Sequence, residues 1–288
     1  MRGALLSPLS AISGIFTYVL DSTDDHQTSI AQVIHPSGST VAHCRFLAPL
    51  NALDSLTLSE LLEGLLREVG ARGAHSLVAE VEEDSLAFGA LRQNGFSIFA
   101  RQQVWKFDKA QRKPERSIWR HALERDELSI SVLRNGLIPG QVQQIESNQN
   151  TPDGYVVFNN GQLHAYVEVK RGSRGIWLQP FVSLDAEPFD LALNDLIARL
   201  RPQVNRPAYI CVRSYQDGLR NPLQRLGAEP GASQAVMAKR TTLPLKSEEA
   251  RRIPVTNRSA EPTTPIHAPL PRVREPEWIT YDQTPNYR

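Results

Sequence analysis

The sequence has no long apolar run and almost no excess of charge of either sign. No stretch reaches the roughly 18 uninterrupted apolar residues that indicate a membrane-spanning helix. The formal net charge is +1 over 288 residues, so no strong overall field draws the protein toward nucleic acid or anionic lipid. We therefore expect neither a nucleic-acid partner nor a membrane-embedded segment.

Cysteine is also scarce. Cys44 and Cys211 are too few for a disulfide framework, and each lies in an apolar stretch, which indicates buried thiols. No Cys/His cluster has the spacing of metal ligands, so we expect no metal site. The apolar start of the chain is interrupted by Pro8 and by serines and glycines. We expect a cytoplasmic protein without a secretory signal.

The remaining composition is that of an ordinary globular protein, with 41% hydrophobic and 22% charged residues. Residues 244–288 differ, because they are rich in proline and in charges of both signs and poor in aliphatic residues. Such a segment buries too little apolar surface to offset the entropy lost on ordering. We predict a disordered, proline-rich tail over 244–288 that is dispensable for folding.

Two stretches before this tail show the same order of predicted elements. In the first, alternating residues predict strands, and apolar residues at helical spacing predict a helix that starts at Thr57 with a Thr57–Glu60 capping box. A strand, a short helix and a final strand follow. In the second, a meander of three strands precedes a helix with Pro188 at its first position, and again a strand, a helix and a strand follow. The predicted fold is a mixed α/β sheet.

The ends of the two stretches repeat in sequence. Leu91, Gly95 and Val104 recur 132 residues later as Leu223, Gly227 and Val236. We predict a duplicated unit in which 76–107 and 208–239 follow one strand–helix–strand path. The predicted boundaries are 1–108 for the first domain, 109–128 for a linker anchored near Trp119, and 129–243 for the second domain.

Two segments resemble the GNAT superfamily of acyl-coenzyme-A-dependent N-acyltransferases. "LVAEVEEDSLAFGALRQNGFSIF" is similar to the family's fifth strand, following helix and Gly-Phe turn, and "IWLQPFVSLDAE" is similar to its fourth strand and cofactor loop. The resemblance implies two tandem GNAT-like domains of an uncharacterised bacterial type. It also implies acetyl-CoA as cofactor and a small-molecule or peptide amine as acceptor.

The resemblance further implies a site in the gap between the fourth and fifth strands. Backbone N–H groups of Phe46–Ala48 (Phe46, Leu47 and Ala48) or of Leu178–Pro180 would polarise the thioester carbonyl. Glu80 or Glu168 would take the proton of the amine. Backbone N–H groups at the start of the first long helix would bind phosphate; these belong to Ser55, Leu56 and Thr57.

The sequence departs from the family pattern at both cofactor loops. The family's loop glycines are absent from both halves, and the second loop carries Asp185, Glu187 and Asp190, whose charge opposes a phosphate. We therefore expect weak or absent acetyl-CoA binding, confined to the first half near 46–57.

The tyrosine that serves many members of the family as a general acid is replaced as well. Leu91 and Leu223 stand at its positions, and Tyr215 could substitute only with another geometry. His43 and His164 are expected to be ordinary sheet residues. Two functions remain open: an N-acetyltransferase, and a non-catalytic pseudo-acyltransferase that serves as a binding or scaffold module. A third is an interaction protein that uses its proline-rich segment 262–276.

Overall fold

The computed structural model describes residues 2–6, 14–21, 28–48, 56–108, 117–146, 153–183, 189–200 and 206–241. All of them belong to one compact unit. The predicted tail over 244–288 lies outside the described residues, and its disorder stays a prediction.

Within these ranges, twelve strands form one sheet. They are β1 (Arg2–Leu6), β2 (Ile15–Asp21), β3 (Thr28–Ile34), β4 (Val41–Ala48), β5 (Ser76–Glu82), β6 (Ser97–Phe107), β7 (Arg120–His121), β8 (Gly154–Asn159), β9 (Gln162–Gly172), β10 (Gly175–Val182), β11 (Ala208–Arg213) and β12 (Glu229–Arg240). The described helices are α1 (Leu56–Ala71), α2 (Leu86–Gln93), α3 (Glu127–Leu137), α4 (Gly140–Gln143), α5 (Phe189–Leu200) and α6 (Arg220–Arg225). The predicted mixed α/β fold is confirmed.

From either edge, the sheet contains the first five strands of one half in sequence and then the last strand of the other half. The strand order runs β1-β2-β3-β4-β5-β12-β6-β11-β10-β9-β8-β7. The parallel pairs are β4 with β5 and β10 with β11, and the other neighbours are antiparallel. The last strand of each half, β6 or β12, therefore lies against the fifth strand of the other half, and the two halves exchange their final strands.

The two central strands meet around a local twofold axis. Gln102 of β6 lies opposite Gln234 of β12, and the two residues are 132 apart in sequence. Gln102 Nε2 donates to Gln234 Oε1 at 2.8 Å. The pair Lys106–Glu229 on one side of this contact has the pair Ser97–Ala238 as its counterpart on the other. The sequence repeat thus corresponds to a rotation about the contact between the two glutamines.

The same turn closes the short helix of each half. Gly95 and Gly227 have φ of 79° and 77°, a left-handed conformation that favours glycine. The N–H group of the residue after each glycine donates to the carbonyl of Leu91 or Leu223, at 3.0 Å in both cases. Both leucines are buried. The predicted common strand–helix–strand path agrees with this geometry.

Helices cover the sheet unevenly. α1 and α2 pack against one face of the first half, and α5 and α6 pack against one face of the second. The five apolar positions that predict α1 are all buried: Leu58, Leu61, Leu62, Leu65 and Val69. A third apolar cluster joins α3 and α4 to strands of both halves. In the part of the chain that the structure describes, no helix is long and apolar enough to cross a membrane.

Some local expectations differ from the structure. α1 begins at Leu56, so Thr57 lies within its first turn rather than at a cap; the preceding residue, Ser55, is an equally good capping type and lies outside the described residues. Strand β7 and the start of α3 fall within the stretch predicted as a linker. Trp119 anchors this stretch as expected, since its Nε1 donates to the Ala192 carbonyl at 2.6 Å.

Candidate functional site

A gap opens between β4 and β5 in the first half. The two strands pair over three residues only, from Val41 to His43 on β4, although β4 continues to Ala48. Beyond His43, β5 pairs with β12 while β4 follows β3. β4 also has a register shift at this point, between Cys44 and Phe46. A bulge bends its strand and redirects the local backbone, so β4 diverges from β5 where the shift occurs.

The corresponding strands of the second half also pair over three residues only, but the edge of β10 beyond them offers fewer free donors. β10 pairs with β11 from Ile176 to Leu178 and then continues without a register shift against β9. Ile176 donates its N–H group toward the β11 side, so alternation places residues 180 and 182 on that side too. Pro180 has no N–H group, and the Val182 N–H group donates to Gln216 Oε1 at 2.8 Å. The donors expected at Leu178–Pro180 are therefore not supplied by this edge.

His43 is the last paired residue of β4 before the first gap. Burial lowers the pKa of its imidazole; nearby Glu80 opposes this effect, and Lys170, Arg213 and Arg45 add to it. The ring is therefore neutral near pH 7 and able to accept a proton. Sequence reasoning treated His43 as an ordinary sheet residue. The available signal was a polar side chain in the otherwise apolar start of β4.

Glu80 is held by a hydrogen bond on each carboxylate oxygen. Oε1 accepts from Arg213 Nη2 at 3.2 Å, and Oε2 accepts from Gln102 Nε2 at 3.1 Å. The side chain nevertheless remains 39% exposed. Glu80 is thus an oriented, accessible carboxylate on the strand that forms one side of the gap, as a proton acceptor or a neighbour of one requires.

Arg213 connects this carboxylate to a second acidic group. Its Nε lies 3.6 Å from Glu146 Oε1, and Tyr215 donates its hydroxyl to the same oxygen at 2.8 Å. Burial raises the pKa of Tyr215, and the charge of Glu146 raises it further, so the phenol stays protonated. Because its proton is directed to Glu146, the geometry does not support Tyr215 as a substitute acid.

Both predicted glutamates, Glu80 and Glu168, affect the pKa of one buried thiol. Burial raises the pKa of the Cys211 thiol to about 12, and Glu80, Glu146 and Glu168 each contribute to the rise. Glu168 forms an ion pair of 2.8 Å with Lys170. Two carboxylates that the sequence placed in separate domains therefore both affect the pKa of this thiol.

Comparison with known proteins extends this description. No family model matches the chain, and no curated protein matches it. Among solved structures, a conserved protein of unknown function from Staphylococcus epidermidis is 12% identical, with a TM-score of 0.52 over 78% of this chain and 95% of that one. The GCN5-related N-acetyltransferase from Sphaerobacter thermophilus is 13% identical, with a TM-score of 0.47 over 80% and 81%. The tandem GNAT protein from the clavulanic acid biosynthesis pathway is 13% identical, with a TM-score of 0.47 over 81% and 84%. The chain shares the fold of the Staphylococcus epidermidis protein. At these identities the likeness concerns the fold alone.

The predicted cofactor-binding residues fall on both sides of residues 49–55, which the structure does not describe. Phe46 lies beyond the bulge of β4 and is 46% exposed, whereas Leu47 packs against the first core and Ala48 pairs with Ile30 of β3. Leu56 and Thr57 lie in the first turn of α1. Residues 49–55, with Ser55, and residues 184–188 lie outside the described residues, so the interpretation of the missing glycines stays a prediction.

The two halves of the chain differ in the residues that their fifth strands place near the central glutamines. The central glutamines lie opposite Glu82 of β5 and Arg213 of β11, which makes these two residues equivalent. Two residues earlier, Glu80 of the first half is equivalent to Cys211 of the second. The first half therefore places a carboxylate where the second places a buried thiol.

Proposed function

We propose that the protein is a cytoplasmic N-acyltransferase, built from two GNAT-like halves, that transfers an acyl group from an acyl-coenzyme A to an amine. The proposal places the reaction in the gap between β4 and β5. One observation carries this choice: the first gap is bulged and bordered by His43 and Glu80, whereas in the second gap Pro180 lacks an N–H group and Gln216 occupies that of Val182.

The first gap fits the donor better than the second. In the described part of β4, the edge beyond His43 is not paired with β5, so an extended thioester arm has a strand edge to lie along. The first turn of α1 contains no acidic residue, and helix N-termini favour phosphate. In the second gap the matching edge lacks one donor and has the other occupied. When bound, the coenzyme supplies an activated acyl thioester.

Side chains of the protein then accept the proton that the amine loses. His43 is neutral because its pKa is lowered, and its imidazole accepts the proton that the attacking nitrogen loses. The C–N bond forms as the C–S bond breaks, and the imidazolium would return its proton to the departing thiolate. Glu80, held by Arg213 and Gln102, stabilises the resulting imidazolium charge. Proton transfer to a positioned side chain contributes about 10²–10⁴-fold to a rate.

Turnover by the full-length chain tests the proposal. Purified protein is titrated with acetyl-CoA by calorimetry, and is then assayed with a panel of small-molecule and peptide amines by thiol release and product mass. We expect turnover, and a kcat reduced by about 10²–10⁴-fold in His43→Gln. Gln216→Ala alters the second gap and serves as the matched control, with its kcat expected to be unchanged.

Two results would contradict this assignment. Loss of turnover in Gln216→Ala with retention in His43→Gln would move the site to the second half. Binding of acetyl-CoA without turnover of any amine would favour the alternative, a non-catalytic binding or scaffold module.

A further inference from the structure

Arg213 belongs to the second half of the chain but contacts the candidate site of the first. It ends β11 and is 8% exposed. Its Nη2 donates to Glu80 Oε1 at 3.2 Å. Its Nε faces Glu146 at 3.6 Å, beyond hydrogen-bond distance, and within the described structure neither Nε nor Nη1 has a hydrogen-bond partner.

Burying such a guanidinium costs free energy, so it is an inefficient source of folding stability. Burying a charge requires good ion-pair geometry and hydrogen bonds for the remaining donors. Of the five N–H donors of an arginine, the structure gives Arg213 one hydrogen bond, and that bond goes to Glu80. The arrangement is better suited to orienting a carboxylate than to adding net stability.

The strand exchange explains how the contact forms. From β5 to β11 the sheet crosses β12 and β6, which is three strand spacings or about 14 Å. Glu80 and Arg213 reach toward each other over the two central strands, and Gln102 between them donates to the same carboxylate. Only a pair of long side chains spans this distance.

We propose that Arg213 is a positioning residue that fixes the Glu80 carboxylate beside His43, so that a single site is assembled from both halves of the chain. This inference rests on the proposed function for its kinetic consequence. Its electrostatic consequence is independent of turnover, because Arg213 and Glu80 act on His43 in opposite directions whether or not a substrate is present.

The charged groups around His43 make the pKa of its imidazole a readout of the Arg213 side chain. Glu80 raises the pKa of the imidazole, and Lys170, Arg213 and Arg45 lower it. Replacing Arg213 with a neutral residue removes one of these three cations and keeps Glu80. The loss of a cation favours the protonated ring, so the pKa of His43 should rise in Arg213→Gln. A lysine at this position keeps the positive charge but loses the planar fork.

The experiment compares full-length Arg213→Gln and Arg213→Lys with the parent chain. The pKa of His43 is followed by NMR titration, with its signal assigned from His43→Gln, and kcat and KM are measured in the amine assay. We expect a raised His43 pKa in Arg213→Gln and a nearly unchanged pKa in Arg213→Lys. In both variants kcat should fall by on the order of tenfold, part of what positioned proton transfer supplies, while KM changes little.

Arg120→Gln is the matched control. Arg120 forms an ion pair of 2.6 Å with the buried Asp126 and is not among the groups that act on His43. Its replacement should lower the melting temperature while leaving the pKa of His43 and kcat unchanged.

The outcomes separate the two proposals. If Arg213→Gln behaves like Arg120→Gln in both readouts, the positioning role is refuted. If the parent chain turns over no amine, yet the His43 pKa rises in Arg213→Gln alone, the shared cluster stands and the reaction assignment fails. Should Arg213→Gln not fold, Arg213→Lys decides: reduced kcat at unchanged His43 pKa supports the role, and unchanged kcat overturns it.

Discussion

The exchange of β6 and β12 predicts that the two halves unfold in one step, although each has its own core. Leu223→Ala is the perturbation. Leu223 lies in the second core and is fully buried, and truncation of such a leucine costs about 2–5 kcal/mol. At about 2–4 °C per kcal/mol for a chain of this size, a mid-range loss of about 3 kcal/mol lowers the melting temperature by roughly 6–12 °C.

Calorimetry and hydrogen exchange provide the assay. A single transition should move as a whole, with equal calorimetric and van't Hoff enthalpies. The slowest amides of β5, in the other half, should lose about the same 3 kcal/mol of protection, because global opening limits their exchange. Leu91→Ala is the reciprocal control, and should lower the protection of β11 equally.

The physical reason is that neither half can open alone. Unfolding the second half removes β12 from between β5 and β6, which leaves the inner edge of β5 unpaired. Two separate transitions, of which Leu223→Ala shifts only one, would refute the reasoning. So would full retention of the protection of β5.

Two further predictions concern local features. Gly95→Ala and Gly227→Ala should each lower the free energy of unfolding by about 1–2 kcal/mol through left-handed strain alone, because a Cβ at Gly227 meets nothing within 4 Å and one at Gly95 comes no closer than 3.7 Å, to the Lys239 side chain; urea denaturation that shows a large loss at only one of the two sites would contradict their equivalence. The folded pKa of His43 lies below the ordinary 6.5, so its contribution to stability is fully present above 6.5 and is lost as the pH falls from 6.5 through the folded pKa. Denaturation midpoints at about pH 7.5 and about pH 4.5 should therefore differ less in His43→Gln than in the parent chain, and an equal difference would show that other groups dominate.

Part of the fold follows from local pattern. The spacing of apolar residues predicts α1, and the glycines that follow Leu91 and Leu223 predict both helix-ending turns. α3 was not predicted, because two of its apolar residues, Leu128 and Val132, are exposed. The helix therefore lacks a clear apolar stripe. The strand exchange was also not predicted, since the alternation of apolar and polar residues within β6 is the same whichever strand it pairs with.

The candidate site was predictable only where one residue carries the signal. Glu80 stands out at the end of an apolar strand, and its catalytic role stays a prediction. Arg213 was missed, because its contact with Glu80 joins residues 133 positions apart and depends on the order of the central strands. His43 was undervalued because its neutrality arises from burial and from charges of which only Arg45 lies in its own segment.

The near-symmetric sheet has a consequence for how this protein evolves. In a true homodimer with such an axis, every substitution appears in both sites at once, and neither site varies alone. Here one continuous chain encodes the two sides of the axis separately, so each position mutates by itself. Cys211 at the position equivalent to Glu80, and Arg213 at the position equivalent to Glu82, are differences that identical subunits could not carry. Covalent linkage thus allows one half to give up a carboxylate of its own and to hold that of its neighbour.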